Sequence, residues 1–595
     1  MEAGPPIMHP HKEPQQTMTD KLAEFKAAEA PLPAVHHRWH LYGAGMDNLG
    51  DDGKPSIVPM PSFGPDELLV RHDACGLCFS DIKVISLGEK HPRIYRDPKT
   101  NPITLGHEIA MTVVGVGENL KDQYKVGDRY TIQADVFING VGYAYGYEIQ
   151  GGLSEFNVID QRILNGDDGN YLIPVQPTTG YAESALTEPW ACVTAAYQLQ
   201  YRTSLKPGGV AWIIGTHANP NHNYTLSAGF EAASHPARLL LTGVPDYLAD
   251  SLRARARELG VEVTDVTDVD PDYGVANPQV AILIDDIVLL GADKALIETV
   301  SPRLANFGIV ALVSDQPLAE KVSVDIGRVH YNRWVYVGSA STEISDAYTD
   351  TPVRSTLKPG GRAWFVGAGG PMGRMHVQRA IQISDGPSVM VCSDVSNLRL
   401  SDLEETFAAE ARAQGIEFIC LNPMEKEAYA AGMARFREGG FDDIIILAPI
   451  PPVIADAAGW MAPRSVMNVF AGVARGTMTT LDLSDAYMKD TRVIGHSASS
   501  IEDLRQMLYL AESGELSPNR SVAAVGSLSA ARDGLFAVQD TSFPGKVVVY
   551  PQIKDFPLTS LHDLNNTLPS VYAKLKNGKE WTKEAEEEFL RLMLP

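Results

Sequence analysis

The 595-residue chain has 44% apolar and 21% charged residues, a composition typical of a globular protein with several domains and unlike that of a disordered or fibrous chain. Its 50 Lys and Arg against 74 Asp and Glu give a formal net charge of −24, which disfavours binding of nucleic acid or of anionic membranes. With 5 cysteines, no apolar leader and no apolar run of bilayer length, we expect a reduced, cytoplasmic protein without membrane segments.

The chain changes character twice along its length. Residues 1–33 are polar and lack periodicity, which predicts a flexible N-terminal extension. Short β-type runs separated by Gly, Pro and Asp then predict a β-rich, barrel-like domain over residues 34–195. From Lys206 onward, strands alternate with helix-length segments, as in βαβ units with a parallel sheet.

An internal repeat divides the α/β part into two copies. Lys206–Gly215 reads KPGGVAWIIG and Lys358–Gly367 reads KPGGRAWFVG, with seven of ten positions identical. The period is too long for a solenoid and predicts a duplicated α/β domain. We place the copies at 196–350 and 351–519.

A polar tail follows at 553–595. Residues 582–593 (TKEAEEEFLRLM) form an amphipathic helical pattern. Its Phe589, Leu590 and Met593 either dock on a neighbouring surface or belong to a frayed terminus, and the sequence leaves both open.

The second copy contains a glycine-rich turn between a strand and a helix (FVGAGGPMGRMHVQRAI). The first glycine of such a turn makes it tight, the second lets a pyrophosphate approach the backbone, and the third lets helix and strand pack closely. The following helix directs its N-terminal N–H groups at the phosphates. The residues assigned to this dinucleotide cradle are Gly367, Gly369, Gly370, Pro371, Met372 and Gly373.

An acidic residue ends the next strand of the second copy. Asp394 lies 21 residues after Gly373, where a carboxylate can accept hydrogen bonds from the adenosine ribose and repel a 2′-phosphate. This favours NAD over NADP, although Arg399 tempers the preference. In the first copy only Gly215 remains of the turn and no acid follows the second strand, so we predict a Rossmann-like domain without a nucleotide site.

The β-rich domain carries a set of potential metal ligands. Thiolate, imidazole and carboxylate groups bind catalytic zinc and leave one position for water or substrate. Ser80 could pass a proton, and Asp81 could orient the ring of His107. Cys75 and Cys78 form a CxxC pair, for which a redox pair or zinc knuckle is the alternative to Cys75 being a small buried residue. The proposed ligands are Cys78, His107, Glu108 and Glu188.

These motifs resemble the zinc-dependent medium-chain dehydrogenase/reductase superfamily, and within it the sorbitol, threonine and polyol dehydrogenase branch. The matching stretches include DELLVRHDACGLCFSDIK, ITLGHEIAMTVVGVGENL, ALTEPWACVTAAY and SFPGKVVVYPQ, in the family's order. The resemblance implies a GroES-like catalytic domain completed by residues 520–552, next to Rossmann-type doubly wound sheets. By resemblance, Cys78, His107 and Glu108 are zinc ligands, with Glu188 reaching the metal directly or through water. It also implies that Ser80 relays protons, Asp81 supports the site, and Asp394 and Arg399 surround the ribose.

The chain departs from that family in three ways. Residues 134–150 contain no cysteine, so we expect one catalytic zinc and no structural zinc. Lys83 stands where relatives often carry a relay histidine. The whole first α/β copy is an insertion, and we hypothesise that it takes the place of a partner subunit at the sheet edge formed by residues 334–338 and 492–495.

The predicted function is zinc-dependent hydride transfer between NAD and a polyol, a sugar or a sugar phosphate. A zinc-independent enone or quinone reductase and a non-catalytic NAD-binding scaffold remain as alternatives. We expect a small-molecule substrate, no nucleic acid or membrane partner, and a homo-oligomer such as a dimer. A basic segment either clamps an anionic group of the substrate or is a solvated loop; its residues are Lys83, Lys90, His91, Arg93, Arg96 and Lys99.

Overall fold

The computed structural model describes residues 21–215, 222–267, 283–349, 354–496 and 498–595. The β-rich domain is built on a mostly antiparallel sheet around a long strand, every residue of which is buried. Because that strand pairs with a strand from the C-terminal part of the chain, residues far apart in sequence complete one domain. In spatial order the strands are β26 (Thr559–Ser560), β24 (Val522–Ser527), β25 (Lys546–Tyr550), β3 (Leu68–Leu77), β4 (Glu108–Val116), β5 (Arg129–Ile132) and β9 (Leu172–Pro174), with β8 (Phe156–Ile159) also paired to β3.

Two small antiparallel pairs lie beside this sheet, together with four helices. The pairs are β1 (Val35–Arg38) with β2 (Ser56–Pro59), and β6 (Phe137–Ile138) with β7 (Val141–Gly142). The helices are α1 (Lys21–Ala27), α2 (Phe79–Leu87), α3 (Gln161–Leu164) and α4 (Tyr181–Ala195).

Two six-stranded parallel sheets follow, and both have the strand order 3-2-1-4-5-6 of a doubly wound fold. The predicted fold class, a GroES-like domain with two tandem Rossmann-type sheets, is therefore confirmed. The first sheet is β12 (Glu262–Asp265), β11 (Arg238–Thr242), β10 (Val210–Ile214), β13 (Ile284–Leu290), β14 (Leu304–Val313) and β16 (Val335–Ser339). The second is β19 (Glu417–Leu421), β18 (Val389–Ser393), β17 (Arg362–Val366), β20 (Phe441–Ile446), β21 (Met461–Val469) and β23 (Arg492–Gly495).

The two α/β copies differ in the segment between their first and second strands. In the second copy a helix connects the first two strands, whereas residues 222–237 of the first copy contain no helix. The first copy has α5 (Asp246–Leu259), α6 (Lys294–Val300) and α7 (Ile326–Asn332). The second has α8 (Pro371–Gln382), α9 (Asn397–Ala413), α10 (Lys426–Ala434), α11 (Pro451–Ala458), α12 (Asp485–Met488) and α13 (Ile501–Glu512).

The repeated KPGG segment has a structural explanation. In the first copy Lys206 Nζ lies 2.6 Å from Asp285 Oδ1, and Arg202 Nη1 lies 2.9 Å from Asp286 Oδ1. In the second copy Lys358 pairs with Asp442, and Arg354 with Asp443. Both copies therefore contain the same two ion pairs, made by acidic residues at the start of β13 in the first copy and of β20 in the second. These acidic residues have a structural role.

The two sheets meet edge to edge around an approximate two-fold axis. Strand β15 (Val322–Asp325) of the first copy pairs antiparallel with β22 (Met478–Leu481) of the second. Gly338 packs on Tyr487, and the reciprocal contact joins Gly495, 157 residues after Gly338, to His330, 157 residues before Tyr487. Such reciprocal contacts are typical of a two-fold subunit interface, yet here one chain makes both halves. The sheets lie together as the hypothesis of an internal partner requires.

Both ends of the described chain are docked on the protein. Residues 1–20 of the predicted flexible extension lie outside the described residues, but the prediction is wrong for 21–27, which form α1. That helix buries Leu22 and Phe25, and the Arg71 guanidinium stacks 3.6 Å from the Phe25 ring, so apolar contacts hold it in place. The C-terminal helices are α14 (Ala531–Gln539), α15 (Leu564–Thr567), α16 (Pro569–Tyr572) and α17 (Lys583–Met593).

The last helix, α17, is docked on the protein and is not a frayed terminus. Phe589 is fully buried and Leu590 is 1% exposed, both within the core shared by the GroES-like domain and the second copy. Lys26 Nζ of α1 lies 2.5 Å from Glu587 Oε1 of α17, so the two chain ends also meet. Among the described helices, none combines the length and the apolar composition needed to cross a bilayer.

Candidate active site

Three side chains from the GroES-like domain converge at the start of α2 and β4. Cys78 precedes the first residue of α2, His107 follows the glycine at 106, and Glu108 begins β4. One donor atom from each lies within 4.8 Å of the others. Sulfur, imidazole nitrogen and carboxylate oxygen are together a donor set that suits zinc. The structure thus brings three of the four predicted ligands into one group.

Asp81 links the two segments that carry Cys78 and His107. Its carboxylate accepts hydrogen bonds from the backbone N–H of Cys78 at 2.9 Å and of Gly106 at 3.2 Å. Its Oδ1 also lies 3.4 Å from His107 Nδ1. Burial disfavours the charged ring, but the Asp81 carboxylate outweighs it and raises the pKa of His107 well above its ordinary value. Asp81 therefore lies beside the His107 ring, whose Nδ1 has no hydrogen-bond partner among the described residues, and its predicted role in orienting the ring stays a prediction.

The carboxylate of Glu108 is completely buried and has one cationic partner. Lys546, the first residue of β25 and 4% exposed, forms an ion pair with Glu108 Oε1. The second oxygen, Oε2, is buried without a hydrogen-bond partner among the described residues. A Cβ on Gly76 would lie 2.1 Å from that oxygen, so glycine is required there. An unpartnered buried carboxylate oxygen beside a thiol and an imidazole fits a site for a divalent cation.

Glu188, the fourth predicted ligand, lies outside the group of three but close to it. It is on α4, and burial, opposed by the nearby His107, raises its pKa to about 7. The thiol of Cys192, one turn further along α4, is also buried, and burial with the charge of Glu188 raises its pKa. The structure therefore places Glu188 near His107 and Glu108 but outside the group of three donor atoms.

Two site residues escaped sequence reasoning. Tyr147 lies edge-on to the His107 ring at 5.9 Å between centroids, and its hydroxyl lies close enough to Ser80 for that side chain to influence the pKa of the phenol. Lys546 was part of a quoted motif, but a lysine at the start of an apolar strand carries no signal for a partner more than 400 residues away. Both could be found only from the fold, because the strand pairing and the lobe around β6 and β7 bring them to the site.

The glycine-rich turn of the second copy has the geometry of an open cradle. Gly367 ends β17 with φ +85°, and a Cβ on Gly373 would lie 2.5 Å from the Ala368 carbonyl oxygen. Gly370 caps α8, and a Cβ there would meet no atom within 4 Å. Pro371 and Met372 are the first residues of α8. The turn is thus tight where helix and strand pack and open in front of the helix N-terminus.

Asp394 lies directly behind this turn. Its Oδ2 accepts a hydrogen bond from the Gly369 N–H at 3.0 Å, and its Oδ1 accepts one from Ser396. The Cβ of Arg399 approaches the same glycine, while its guanidinium donates to the Thr541 carbonyl oxygen at 3.2 Å. The structure therefore groups the glycine turn, the acid and the arginine that the sequence predicts around a ribose.

The helix that carries Glu188 is anchored by the C-terminal tail. Glu586 of α17 accepts hydrogen bonds from the N–H groups of Tyr181 at 2.6 Å and Ala182 at 2.7 Å. A carboxylate at a helix N-terminus satisfies free N–H groups and interacts favourably with the helix dipole. Glu586 is 2% exposed, so the tail contributes a buried cap to the active-site helix.

Glu183, beside this cap, makes stability depend on pH. Burial, followed by the charge of Glu586, raises the pKa of Glu183 to about 7 from 4.5. The folded state then binds the proton more tightly than the unfolded chain, so stability falls as pH rises from 4.5 to 7. We expect Glu183→Gln to raise the unfolding free energy at pH 8 by on the order of 2 kcal/mol and to change it little at pH 5. Urea unfolding at both pH values measures this.

The matched control for that measurement is Glu584→Gln, an exposed glutamate on α17. It should show no difference between the two pH values. Equal effects of Glu183→Gln at pH 5 and pH 8 would contradict the assignment of the raised pKa to Glu183.

The basic segment is only partly available to a ligand. Arg93 forms an ion pair with Asp135, and Arg96 donates to the backbone carbonyls of Tyr147 and Glu148. Lys83, by contrast, is exposed and forms no ion pair with any described residue. Arg93 and Arg96 therefore stabilise the fold, and fewer residues of the basic segment are available to bind an anion than the sequence predicts.

Comparison with known proteins agrees with this arrangement. Residues 64–165 match the family model of the alcohol dehydrogenase GroES-like domain. Mannitol-1-phosphate 5-dehydrogenase of Aliivibrio fischeri is 22% identical over 544 residues, which cover 89% of this chain and 93% of that protein. L-sorbose 1-phosphate reductase of Klebsiella pneumoniae is 20% identical over 89% of this chain and 93% of its own length.

A shorter relative aligns with part of the chain. D-arabitol-phosphate dehydrogenase of Enterococcus avium is 26% identical over 239 residues, or 38% of this chain and 65% of that protein. The domain match, the relatives and the two doubly wound sheets support a member of the alcohol dehydrogenase-like medium-chain dehydrogenase/reductase superfamily.

Proposed function

We propose that this alcohol dehydrogenase-type oxidoreductase transfers a hydride between NAD and a secondary alcohol of a polyol, a sugar or a sugar phosphate. The observation that carries the proposal is the convergence of Cys78, His107 and Glu108, in a domain packed against an open glycine turn. Neither the donor set nor the turn alone implies this reaction, but together they are the parts that metal-assisted alcohol oxidation requires.

Each part of the site has a proposed role. A bound zinc ion would supply Lewis acidity toward the alcohol oxygen, and bound NAD would supply the hydride acceptor. Cys78, His107 and Glu108 would hold the metal, with Asp81 fixing the imidazole. Lys546 neutralises Glu108.

Protons are proposed to leave through Ser80. Ser80 is two residues from Cys78 and lies close to Tyr147, so its hydroxyl would accept the substrate's proton and pass its own proton outward. Glu188, whose pKa burial raises to about 7, is proposed to contact the metal directly or through water.

The second α/β copy is proposed to bind the nucleotide. The N-terminus of α8 would offer N–H groups to the pyrophosphate across Gly370, and Asp394 would accept hydrogen bonds from the ribose hydroxyls. The first copy is proposed to bind no dinucleotide, because residues 222–237 provide no helix N-terminus after its first strand. We further propose a cytoplasmic enzyme, in keeping with five unpaired cysteines, whose internal domain pair replaces one subunit contact of a homo-oligomer.

The test is NADH formation across polyols, sugars and their phosphates, with and without a chelator. We expect turnover of at least one polyol or polyol phosphate, loss of activity after chelation, and its return on addition of zinc. Absence of turnover across the panel would contradict the proposed reaction. Activity that survives complete metal removal would instead indicate a zinc-independent reductase.

A further inference from the structure

Side chains from all three domains meet at a second place, where α2 of the GroES-like domain and α7 of the first copy approach the carboxyl end of β21 in the second copy. We call this place the cleft. Gly472 follows β21 of the second copy, where a Cβ would lie 3.3 Å from Tyr331 Oη and 3.5 Å from Lys83 Nζ. Tyr331 is on α7 of the first copy, and Lys83 is on α2 of the GroES-like domain. The first copy, which lacks a glycine turn, therefore reaches the cleft of the second.

This meeting point is continuous with the proposed active site. Lys83 lies three residues after Ser80 on α2, so both side chains are on one face of that helix. Gly472 lies beyond the carboxyl end of β21, and ligands of open α/β sheets bind outside the carboxyl ends of the strands. An extended substrate with its reacting carbon near Ser80 would thus place a distal group near Lys83.

Tyr331 is held firmly in this position. Its neighbour His330 is hydrogen-bonded through Nδ1 to the Val469 carbonyl oxygen at 2.9 Å. Arg475 stacks 4.9 Å from the Tyr331 ring, and its Nε donates to Asn332 Oδ1 at 2.8 Å. The contacts that join the two copies therefore also place the phenol at the cleft.

The electrostatics of this point favour an anion. Lys83 and Arg475 are both exposed, and neither forms an ion pair with a described residue. Both cationic groups are therefore available to an anion, although the net charge of the chain is −24. A phosphate monoester offers several strong acceptor oxygens to ammonium and hydroxyl donors, and such charge-assisted hydrogen bonds are among the strongest in proteins.

We propose that Lys83, Tyr331 and the open surface at Gly472 bind the phosphate of a phosphorylated polyol, so that the first α/β copy completes the substrate site of the second. This inference rests on the proposed function and specifies its substrate class. The glycine leaves room for the phosphate, Lys83 supplies charge, and Tyr331 supplies a hydroxyl donor.

The experiment compares the kinetics of Lys83→Met, Tyr331→Phe and Gly472→Ala with those of the wild-type chain. Mannitol 1-phosphate and mannitol serve as paired substrates. We expect Lys83→Met to raise KM for the phosphate by about 10- to 100-fold, the effect of one charge-assisted contact, and to leave KM for mannitol unchanged. Tyr331→Phe should raise KM for mannitol 1-phosphate several-fold. Gly472→Ala should also raise KM for mannitol 1-phosphate, because the added methyl group occupies the space proposed for the phosphate. Lys426→Met removes the same charge from an exposed position on α10, outside the basic segment, and should change neither value.

Equilibrium binding separates this inference from the proposed function. The affinities of mannitol 1-phosphate and inorganic phosphate for the full chain are measured by calorimetry for wild type, Lys83→Met and Lys426→Met. Weaker binding in Lys83→Met alone supports the subsite, even if none of the panel is turned over and the proposed reaction is wrong. Identical behaviour of the two lysine variants, or equal wild-type KM for mannitol and its phosphate, overturns the subsite and leaves the proposed reaction standing.

Discussion

Replacement of Cys78 by serine should remove the bound metal and lower kcat/KM for the alcohol substrate by at least about 10³-fold. Loss of a thiolate ligand weakens a three-ligand site, and the lost Lewis acidity is worth several kcal/mol of transition-state stabilisation. Metal analysis of the purified protein, together with NADH formation, measures both effects. His107→Ala should give the same result, because its imidazole lies in the same donor group.

The CxxC motif provides the matched control. Cys75 is fully buried on β3 and lies outside the donor group. Cys75→Ala should therefore retain stoichiometric metal and most of the activity, with a modest loss of stability from the small cavity. If Cys78→Ser kept both its metal and its activity, the candidate metal site would be wrong.

Replacement of Asp394 by alanine should change the coenzyme preference by two orders of magnitude or more. The ratio of kcat/KM for NADP to that for NAD is expected to rise by about 10²- to 10³-fold. The substitution removes the carboxylate that accepts hydrogen bonds from the ribose hydroxyls of NAD, and a hydrogen bond to a charged group contributes about 1.5–3 kcal/mol. It also removes the repulsion of a 2′-phosphate, which Arg399, beside the same glycine turn, is expected to attract.

Two measurements keep this expectation specific. Asp385→Ala, at an exposed position before β18, should leave the ratio unchanged. Circular dichroism should show that the variant is folded, because Asp394 also accepts the Gly369 N–H, and its loss could disturb the turn. An unchanged ratio in a folded Asp394→Ala variant would mean that another residue reads the ribose.

Local patterns explain why much of the site was predictable. The turn glycines, Asp394 and the residues around Cys78 are each set by constraints within a few neighbouring residues, such as the positive φ at Gly367 or the N-terminal position of Cys78 before α2. Such constraints leave a mark in the sequence itself. The duplicated sheets were predictable for the same reason, since Lys206 and Lys358 make equivalent ion pairs at equivalent places.

Contacts across domains left no comparable mark. Lys546 reaches Glu108 only because β25 pairs with β3, and Glu586 caps α4 only because α17 packs into the core. The prediction of a flexible N-terminal extension was wrong at α1 because Leu22 and Phe25 find an apolar surface that no local pattern describes.

By itself, the sequence determined the fold class, the repeat, the glycine turn and the kinds of metal-binding groups, because these depend on short-range spacing and residue chemistry. Only the tertiary structure decided that Glu188 lies outside the group of three donor atoms, and that Lys83 rather than Arg93 or Arg96 is available to an anion. It also decided that the first copy contributes Tyr331 to the cleft. Those outcomes depend on which surfaces of separate domains are buried against each other, and burial between distant segments is settled by the packing of the whole chain.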